Sequence, residues 1–307
     1  MRTISVPFDK YQYVVTKHAD PIAAVKPGEV FEVITIDAFS NNVGLLETSL
    51  QSAFSKSISG NPLTGPILVD GAKSGDVLAI KILDINPTRD YAVSGFLPGV
   101  GGLVATGTTP MLHNPIPDRC YIYKRDETGN YTYNDRLSFS WEPFIGSIAT
   151  APYWESIKSS DPFSQGGNMD VPDVKPGNIL YLPVNTEGAF LYVGDVHARQ
   201  GQGELCGVAM EIPAKVTLSV SIINNKKINW PRIESDTELM CIGSAKPMED
   251  AARIAYHELI CWMSELGWDS LDAYQALSQC GKLYVGNMVD TTYSLVAKID
   301  KEIVYRT

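Results

Sequence analysis

The chain has 307 residues, of which 44% are hydrophobic and 20% are charged, a balance typical of a soluble globular protein of one or two domains. Its 35 acidic residues outnumber its 25 Lys and Arg residues and give a formal net charge of -10. Phosphate backbones and anionic lipids repel such a surface, so nucleic-acid binding and membrane binding are not expected. The sequence has no apolar run of bilayer length and no signal-peptide core near its start, so a cytoplasmic location is expected.

The cysteine content indicates reduced thiols. The five cysteines are odd in number and widely spaced, and no two of them form a CxxC pair. This pattern predicts neither a disulfide framework nor a thiolate zinc site. One of them, Cys206, lies beside the most polar stretch of the chain, where a buried thiol is the expected state.

Three segments share a pattern in which Lys, then Pro or Ser, then Gly precede an apolar run. Pro presets φ and Gly accepts positive φ, so each segment predicts a tight turn that begins a strand. The turn segments are Val25–Val30 (VKPGEV), Ala72–Val77 (AKSGDV) and Val174–Ile179 (VKPGNI), and the strands predicted after them are Phe31–Phe39, Leu78–Ile85 and Leu180–Val184. The alternation continues to Lys215–Ile223, so residues 1–235 are predicted to form packed, sandwich-like β-sheets.

After residue 240 the apolar period changes from that of a strand to that of a helix. An apolar stripe predicts one helix that ends at Gly267, and Asp269 can cap a second helix that ends at Gly281. The stripe consists of Ala251, Ile254, Ala255, Leu259, Trp262, Met263 and Leu266. Strands predicted at Leu283–Val289 and Tyr293–Ile299 complete a C-terminal α/β segment, residues 236–307. The predicted fold class is mainly β with this segment added, α+β overall.

The stretch from Leu191 to Glu211, LYVGDVHARQGQGELCGVAME, sets a dense group of polar residues between apolar flanks. Asp195 and His197 are two apart in a predicted strand, so they point the same way, roughly 7 Å apart along the backbone. Glu204 follows after a glycine-containing turn. A carboxylate and a neutral imidazole are good zinc ligands, so the stretch predicts a metal site, and a polar turn with one core histidine is the alternative.

Two other positions carry polar side chains that could reach the same pocket. Asp37 follows a predicted strand, where it either faces a pocket or begins a turn. Asn168 and Asp170, in GGNMD, are again two apart, and they either share a pocket or form a tight turn with an Asx hydrogen bond. The sequence leaves both alternatives open.

Several long blocks occur in the order found in the acetamidase/formamidase family, which the chain resembles through nearly its whole length. The blocks are VKPGEVFEVITIDAFSNN, NPLTGPILVDGAKSGDVLAIKI, PGVGGL, PFIGSIATAP, GGNMD, GDVHARQGQGE and AYQALSQCG. The resemblance implies a mainly β architecture, an amidohydrolase activity on short amides such as formamide or acetamide, and a bound divalent metal. The family's polar cluster falls on Asp37, Asn168, Asp170, Asp195, His197 and Glu204. Gln202 stands where many members carry a carboxylate, which weakens the case for a second cation there.

Amide hydrolysis needs an activated water, stabilisation of the oxyanion and a proton for the departing ammonia. Bound zinc lowers the pKa of its water to about 7 and polarises the carbonyl, which supplies the first two requirements. The hypothesis places a divalent metal, zinc with calcium as the alternative, on Asp37, Asp195 and His197. Glu204 is then expected to act in catalysis as the proton carrier.

The second polar pair is assigned to the same centre. Asp170 is expected to be catalytic, and a role as metal ligand or as proton carrier stays open for it and for Glu204. Asn168 is expected to bind the substrate amide. Either member of the pair could also orient His197 through its second ring nitrogen, as outer-shell partners of metal-bound histidines do.

Two alternative functions stay open: a hydrolase of a cyclic or larger amide, similar to a lactamase, and a non-catalytic β-protein that binds a small ligand. A covalent mechanism is not expected, because the chain has no GxSxG elbow and no Ser–Lys pair at amidase spacing. The other histidines, His18, His113 and His257, are expected to be structural or solvated. The partners expected are a small amide substrate and a second copy of the chain in a homodimer.

Overall fold

A computed structural model describes residues 1–104 and 116–305, and His113 lies outside these ranges. The strands are β1 (Arg2–Ile4), β2 (Val14–Val15), β3 (Ala23–Val25), β4 (Val30–Ile34), β5 (Leu63–Val69), β6 (Val77–Pro87), β7 (Tyr91–Phe96), β8 (Arg119–Arg125), β9 (Tyr131–Asn134), β10 (Leu137–Phe139), β11 (Phe144–Ala149), β12 (Ile157–Lys158), β13 (Gly166–Asn168), β14 (Ile179–Pro183), β15 (Leu191–His197), β16 (Ala214–Ile223), β17 (Arg232–Glu234), β18 (Glu238–Ala245), β19 (Lys282–Asn287) and β20 (Tyr293–Asp300). The helices are α1 (Leu50–Phe54), α2 (Met248–Glu265), α3 (Ser270–Cys280) and α4 (Lys301–Val304), with a 3-10 turn at Phe8–Lys10.

Two sheets enclose the main hydrophobic core. The larger has nine strands in the order β1-β4-β16-β6-β14-β17-β18-β20-β19, and the other has five in the order β13-β11-β15-β5-β3. Apolar residues of both sheets meet between them, among them Ile80 and Leu218 of the first sheet and Ile148 and Val193 of the second, all fully buried. A four-stranded sheet, β10-β9-β8-β7, and the short pair β12-β2 lie beside them. The predicted fold class, mainly β with a small helical segment, is confirmed.

The three predicted turns precede strands as expected. Gly28, Gly75 and Gly177 adopt φ values of 84°, 92° and 94°, the left-handed region that glycine enters without a steric penalty. The strands that follow are β4, β6 and β14. The first ends at Ile34, earlier than the predicted Phe39, because the chain turns there: backbone N–H groups of Phe39 and Asn41 donate to Asp37 Oδ1.

The C-terminal segment contains the two predicted helices. The stripe residues from Ala251 to Met263 lie on α2, and Leu266 is the C-cap that ends it. Gly267 follows with φ 99°, and Asp269 caps α3 by accepting N–H bonds from Leu271 and Asp272. Helix α2 lies directly on β18, where Gly243 leaves room for the carbonyl of Ala251. A side chain at this glycine would meet that carbonyl and push the helix off the sheet.

A buried ion network ties α2 to the sheet. Arg232, on β17, is 3% exposed and donates to Glu258 at 2.8 Å and to Glu265 at 2.8 and 3.0 Å. The nine-stranded sheet continues across the boundary predicted between residues 235 and 236, because β17 pairs with β18. The C-terminal segment therefore shares a sheet with the β-rich part.

Two further features bear on the expectations drawn from composition. In the part of the chain that the structure describes, no helix is both long enough and apolar enough to cross a membrane. The five cysteines are all free, as predicted. Cys206 is exposed, so its predicted burial is wrong: it lies in the loop after Glu204, at the edge of an open cavity rather than in the core.

Candidate functional site

A cavity of about 180 Å³ lies at the ends of β13 and β15. The polar part of its lining, here called the polar wall, comes from distant parts of the chain and consists of Asn61, Lys158, Ser160, Asn168, Asp195, Glu204, Glu211 and Asp290. The other wall is apolar and consists of Ala38, Phe39, Phe54 and Val208. The cavity can thus hold a small molecule with one polar and one apolar end.

Strand β15 brings two of the predicted residues together at the polar wall. Asp195 Oδ2 lies 3.4 Å from His197 Nε2. Asp195 adopts φ 52°, a left-handed conformation within a strand, which interrupts the regular alternation. Asp170 and Glu204 have similar φ values of 51° and 50°. Non-glycine residues in this conformation cluster at functional sites, because the strain persists only where the surroundings enforce it.

Close packing opposite Asp195 fixes the position of its side chain. Strand β11 pairs with β15 so that Ile145 lies opposite Val196, which places Gly146 opposite Asp195. A Cβ at Gly146 would lie 2.6 Å from Asp195 Oδ2 and 2.8 Å from Asp170 Oδ1. Only glycine leaves room for both carboxylates.

His197 Nε2 is the point on which the carboxylates converge. Glu211 Oε1 lies 3.4 Å from it, the same separation as Asp195, and Asp170 Oδ1 lies 4.0 Å from it. Ligand atoms of Glu204 and Glu211 also lie within 4.8 Å of one another and of the His197 ring. All five side chains are buried.

Several of these buried atoms have no hydrogen-bond partner among the residues that the structure describes. They are Asp170 Oδ1, Asp195 Oδ1, Glu211 Oε2 and His197 Nε2. Burying unpaired carboxylates is costly unless a cation or a proton compensates them. Burial raises the pKa of Asp170, Glu204 and Glu211 well above the ordinary range, and neighbouring carboxylates raise it further.

The donor set fits a divalent transition metal. Zinc binds imidazole nitrogen at about 2.0–2.1 Å and carboxylate oxygen at about 2.0–2.2 Å, so tetrahedral ligand atoms lie about 3.4 Å apart. His197 Nε2 stands at 3.4 Å from Asp195 and at 3.4 Å from Glu211, and His197 is shared by two groups of mutually close donors, one with Asp170 and Asp195 and the other with Glu204 and Glu211. Calcium prefers six to eight oxygen ligands, so a set that includes an imidazole suits it less well.

Asp37, expected as a metal ligand, lies outside both groups of candidate ligands. Arg89 pairs with its Oδ2 at 2.7 Å, and Oδ1 accepts the N–H groups of Phe39 and Asn41. It therefore begins a turn, which the sequence left as the alternative. Its charge still reaches the cluster, since it helps to raise the pKa of Glu211.

Asn168, expected to bind substrate, is the hub of a hydrogen-bond network. Its Oδ1 accepts from Asn61 Nδ2 at 2.7 Å and from the Ser147 hydroxyl, and its Nδ2 donates to Asp170 at 2.8 Å and to Asp290 at 2.7 Å. Both N–H groups and the carbonyl oxygen of this side-chain amide are thus hydrogen-bonded to other protein groups. Its evident effect is to hold Asp170 in place.

The C-terminal segment supplies residues that the sequence did not indicate. Asn287 donates to Asp170 and Asp290 at 3.0 and 2.9 Å, and burial raises the pKa of Asp290 to about 7. No spacing pattern in the sequence marks Asn287 and Asp290, because their place beside Asn168 depends on the pairing of distant strands. The sequence assigned no role to Glu211, the last residue of the polar stretch. Because the chain turns back after Glu204, the position of Glu211 opposite His197, in an isolated β-bridge, could have been predicted.

The fold and this centre define a class: a β-sheet protein with a buried carboxylate–imidazole cluster that can hold a divalent cation. The model of the Acetamidase/Formamidase family matches residues 16–160 and 145–299, two overlapping segments that together cover most of the sequence. The chain belongs to the acetamidase/formamidase family.

Solved structures and a curated relative agree with this assignment. The acetamidase structure from Yersinia enterocolitica is 38% identical, with a TM-score of 0.93 over 99% of this chain and 93% of that one. The acetamidase structure from Bacillus halodurans is 31% identical, with a TM-score of 0.89 over 98% of each chain. The formamidase of Methylophilus methylotrophus is 25% identical over 252 residues, which are 66% of this chain and 62% of that protein. The match thus spans less than two thirds of that curated relative.

Proposed function

We propose that the protein hydrolyses short linear amides to a carboxylate and ammonia in the cavity beside His197, with a divalent metal, zinc, as its cofactor. The observation that carries the proposal is the convergence of buried donors on His197 Nε2, two of them at 3.4 Å. The names of the relatives, acetamidase and formamidase, supply the substrate class.

The metal would be held by His197, Asp195 and Glu211. Asp170 would complete the set as a fourth ligand. When bound, zinc supplies a water of lowered pKa and an electrophile for the amide carbonyl. The left-handed backbone at Asp195 and the glycine opposite it keep the carboxylates in place before any ligand arrives. This preorganisation lowers the cost of assembling the site.

Glu204 is the proposed proton carrier. Its carboxyl group lines the cavity and is buried, and burial raises its pKa well above the ordinary range. A carboxylate of raised pKa accepts a proton from the attacking water and returns it to the amide nitrogen as ammonia leaves.

Asn168 is proposed to act by positioning rather than by contact with substrate. Both of its amide protons and its carbonyl oxygen are engaged by protein groups. Its loss would take one hydrogen bond from Asp170 Oδ2, which Asn287 also holds, and would thereby loosen the ligand group. Asp37 is proposed to anchor the turn at the apolar wall of the cavity through Arg89.

The cavity favours a short amide over a larger amide. Pockets for drug-sized ligands measure roughly 300–1,000 Å³, and this one measures about 180 Å³. Its apolar wall, with Phe39 and Phe54 edge to face at 5.2 Å, would enclose a short acyl chain. The polar wall would then receive the amide group.

Ammonia release from formamide, acetamide and propionamide tests the proposal. We expect turnover by purified protein, loss of turnover after dialysis against a zinc chelator, and recovery on addition of Zn²⁺. His197→Ala should abolish both metal binding and turnover, whereas His257→Gln, on the outer part of α2, should retain both. Turnover that survives metal removal would contradict the metal mechanism, and absence of turnover with bound metal would favour a ligand-binding role.

The homodimer and the cytoplasmic location stay predictions. Light scattering coupled to size-exclusion chromatography tests the first, since a homodimer would have twice the chain's mass of 33.6 kDa. Cell fractionation tests the second.

A further inference from the structure

We propose that Gln200 is a positioning residue that fixes the tautomer of His197, so that the unprotonated nitrogen faces the carboxylate cluster. The inference rests on the proposed function insofar as that nitrogen is meant for a metal. It concerns a residue in the short segment between His197 and Glu204 to which the sequence had given no role.

The side-chain amide of Gln200 can adopt only one orientation. Its Nε2 donates to two backbone carbonyls, that of Asp170 at 2.9 Å and that of Gly286 at 3.0 Å. Rotating the amide by half a turn would set its oxygen against both carbonyl oxygens and lose two hydrogen bonds. Because backbone carbonyls only accept, the nitrogen must face them and the oxygen must face the other way.

That oxygen meets the ring of His197. Gln200 Oε1 lies 3.0 Å from His197 Nδ1. An amide oxygen only accepts, so Nδ1 carries the proton and donates it. In a neutral imidazole the other nitrogen, Nε2, then keeps its lone pair, and Nε2 is the atom without a hydrogen-bond partner in the described part of the chain.

The arrangement also joins three segments of the chain. Gln200 follows β15, Asp170 lies in the turn after β13, and Gly286 lies where β19 departs from regular pairing with β20. The space around Gly286 is tight, since a Cβ there would lie 3.0 Å from the carbonyl of Met169. The C-terminal segment thus contacts the centre through this carbonyl on Gln200, in addition to Asn287 on Asp170 and Asp290 on Asn168.

Removal of such a positioning residue should have a measurable effect on metal affinity. Loss of an outer-shell partner of a metal-bound histidine costs about 10- to 100-fold in metal affinity or activity. Gln200→Leu fills the space but removes the acceptor for Nδ1–H, so the ring can take either tautomer. Gln200→Glu keeps an acceptor for Nδ1–H but sets its second oxygen against the carbonyls of Asp170 and Gly286, so it should keep the tautomer and restore only part of the zinc affinity, which a purely space-filling role would not predict.

Nitrogen-15 NMR of the imidazole rings in metal-free protein tests the inference without reference to turnover. The chain has four histidines, so substitution of His18, His113 and His257 one at a time assigns the signals. We expect Nδ1-protonated, Nε2-unprotonated His197 in the unsubstituted protein, and a mixed or reversed tautomer in Gln200→Leu. Titration calorimetry with Zn²⁺ alone should show 10- to 100-fold weaker binding by Gln200→Leu, partial recovery by Gln200→Glu, and no change in Gln202→Leu, an exposed neighbour outside the network.

Two results would overturn the inference. One is a proton on Nε2 in the unsubstituted protein, a result that needs no variant to fold. The other is an unchanged tautomer and an unchanged zinc affinity in folded Gln200→Leu. The expected tautomer in a protein that hydrolyses no amide would count against the proposed function alone, so the two failures can be told apart.

Discussion

Alanine at Gly146 should damage the centre through a single added methyl group. The backbone there is not in the left-handed region, so the effect comes from space alone. The new Cβ would lie 2.6 and 2.7 Å from the two nearest oxygens of Asp195 and 2.8 Å from Asp170 Oδ1. Normal carbon–oxygen contacts exceed about 3.3 Å, so the oxygens must retreat by roughly 0.5–0.7 Å.

A displacement of this size exceeds the tolerance of a catalytic site, about 0.5 Å, and misplacement by about 1 Å costs on the order of a hundredfold in rate. We therefore expect kcat/KM for acetamide to fall by about 30- to 100-fold, which corresponds to about 2–3 kcal/mol of transition-state stabilisation. Zinc affinity should fall with it. Overpacking should also lower the free energy of unfolding by about 1–3 kcal/mol.

The assay combines steady-state ammonia release, zinc titration and urea unfolding. Gly44→Ala is the matched control, since no described atom beyond its chain neighbours lies within 4 Å of its Cβ position and its φ is unexceptional. A folded Gly146→Ala protein with unchanged kcat/KM and unchanged zinc affinity would refute the reasoning, because it would mean that these oxygens need not stay where the structure places them.

Three further predictions address the cavity, the charges and the fold. Phe54→Ala enlarges the cavity at its apolar wall, so the ratio of kcat/KM for butyramide to that for acetamide should rise about tenfold in steady-state kinetics. An unchanged ratio would mean that the acyl chain binds elsewhere. In metal-free protein burial raises the pKa of Asp290 to about 7, so the folded state holds the extra proton. The contribution of this group to stability is then fully present below its unfolded-state pKa and is lost as pH rises through about 7. Calorimetry should give a lower Tm at pH 8.5 than at pH 5.5, with Zn²⁺ removing the difference, and a Tm that rises with pH would contradict this. Arg232→Met leaves Glu258 buried without its partner and should cost about 3–5 kcal/mol in urea unfolding; adding Glu258→Gln should recover part of that loss, and strictly additive losses would argue against the ion pair.

Local physics explains which parts of the fold were predictable from the sequence. The Pro–Gly turns and the cap at Asp269 depend on residues within a few positions of one another, and both are found where the sequence placed them. The end of β4 was missed because Asp37 can either continue toward a pocket or accept backbone N–H groups. The outcome depends on Arg89, which is 52 residues away.

The same distinction applies to the candidate site. Asp195 and His197 share one strand, so the sequence could place them near one another, but their 3.4 Å approach depends on the left-handed backbone at Asp195, which strand alternation does not predict. Asp290 reaches Asn168 across 122 positions of sequence, through the pairing of β19 and β20. Contacts of that separation are set by tertiary packing, and no local period records them.

The proposed function depends on the binding of a divalent metal by the buried donors around His197 Nε2. An anomalous difference map from zinc-soaked crystals, recorded at wavelengths on both sides of the zinc absorption edge, tests it most directly. We expect one strong peak within bonding distance of His197 Nε2, Asp195 and Glu211, present only above the edge. A cavity without such a peak, or a hydrogen bond from a protonated Nε2 to one of the carboxylates, would contradict it.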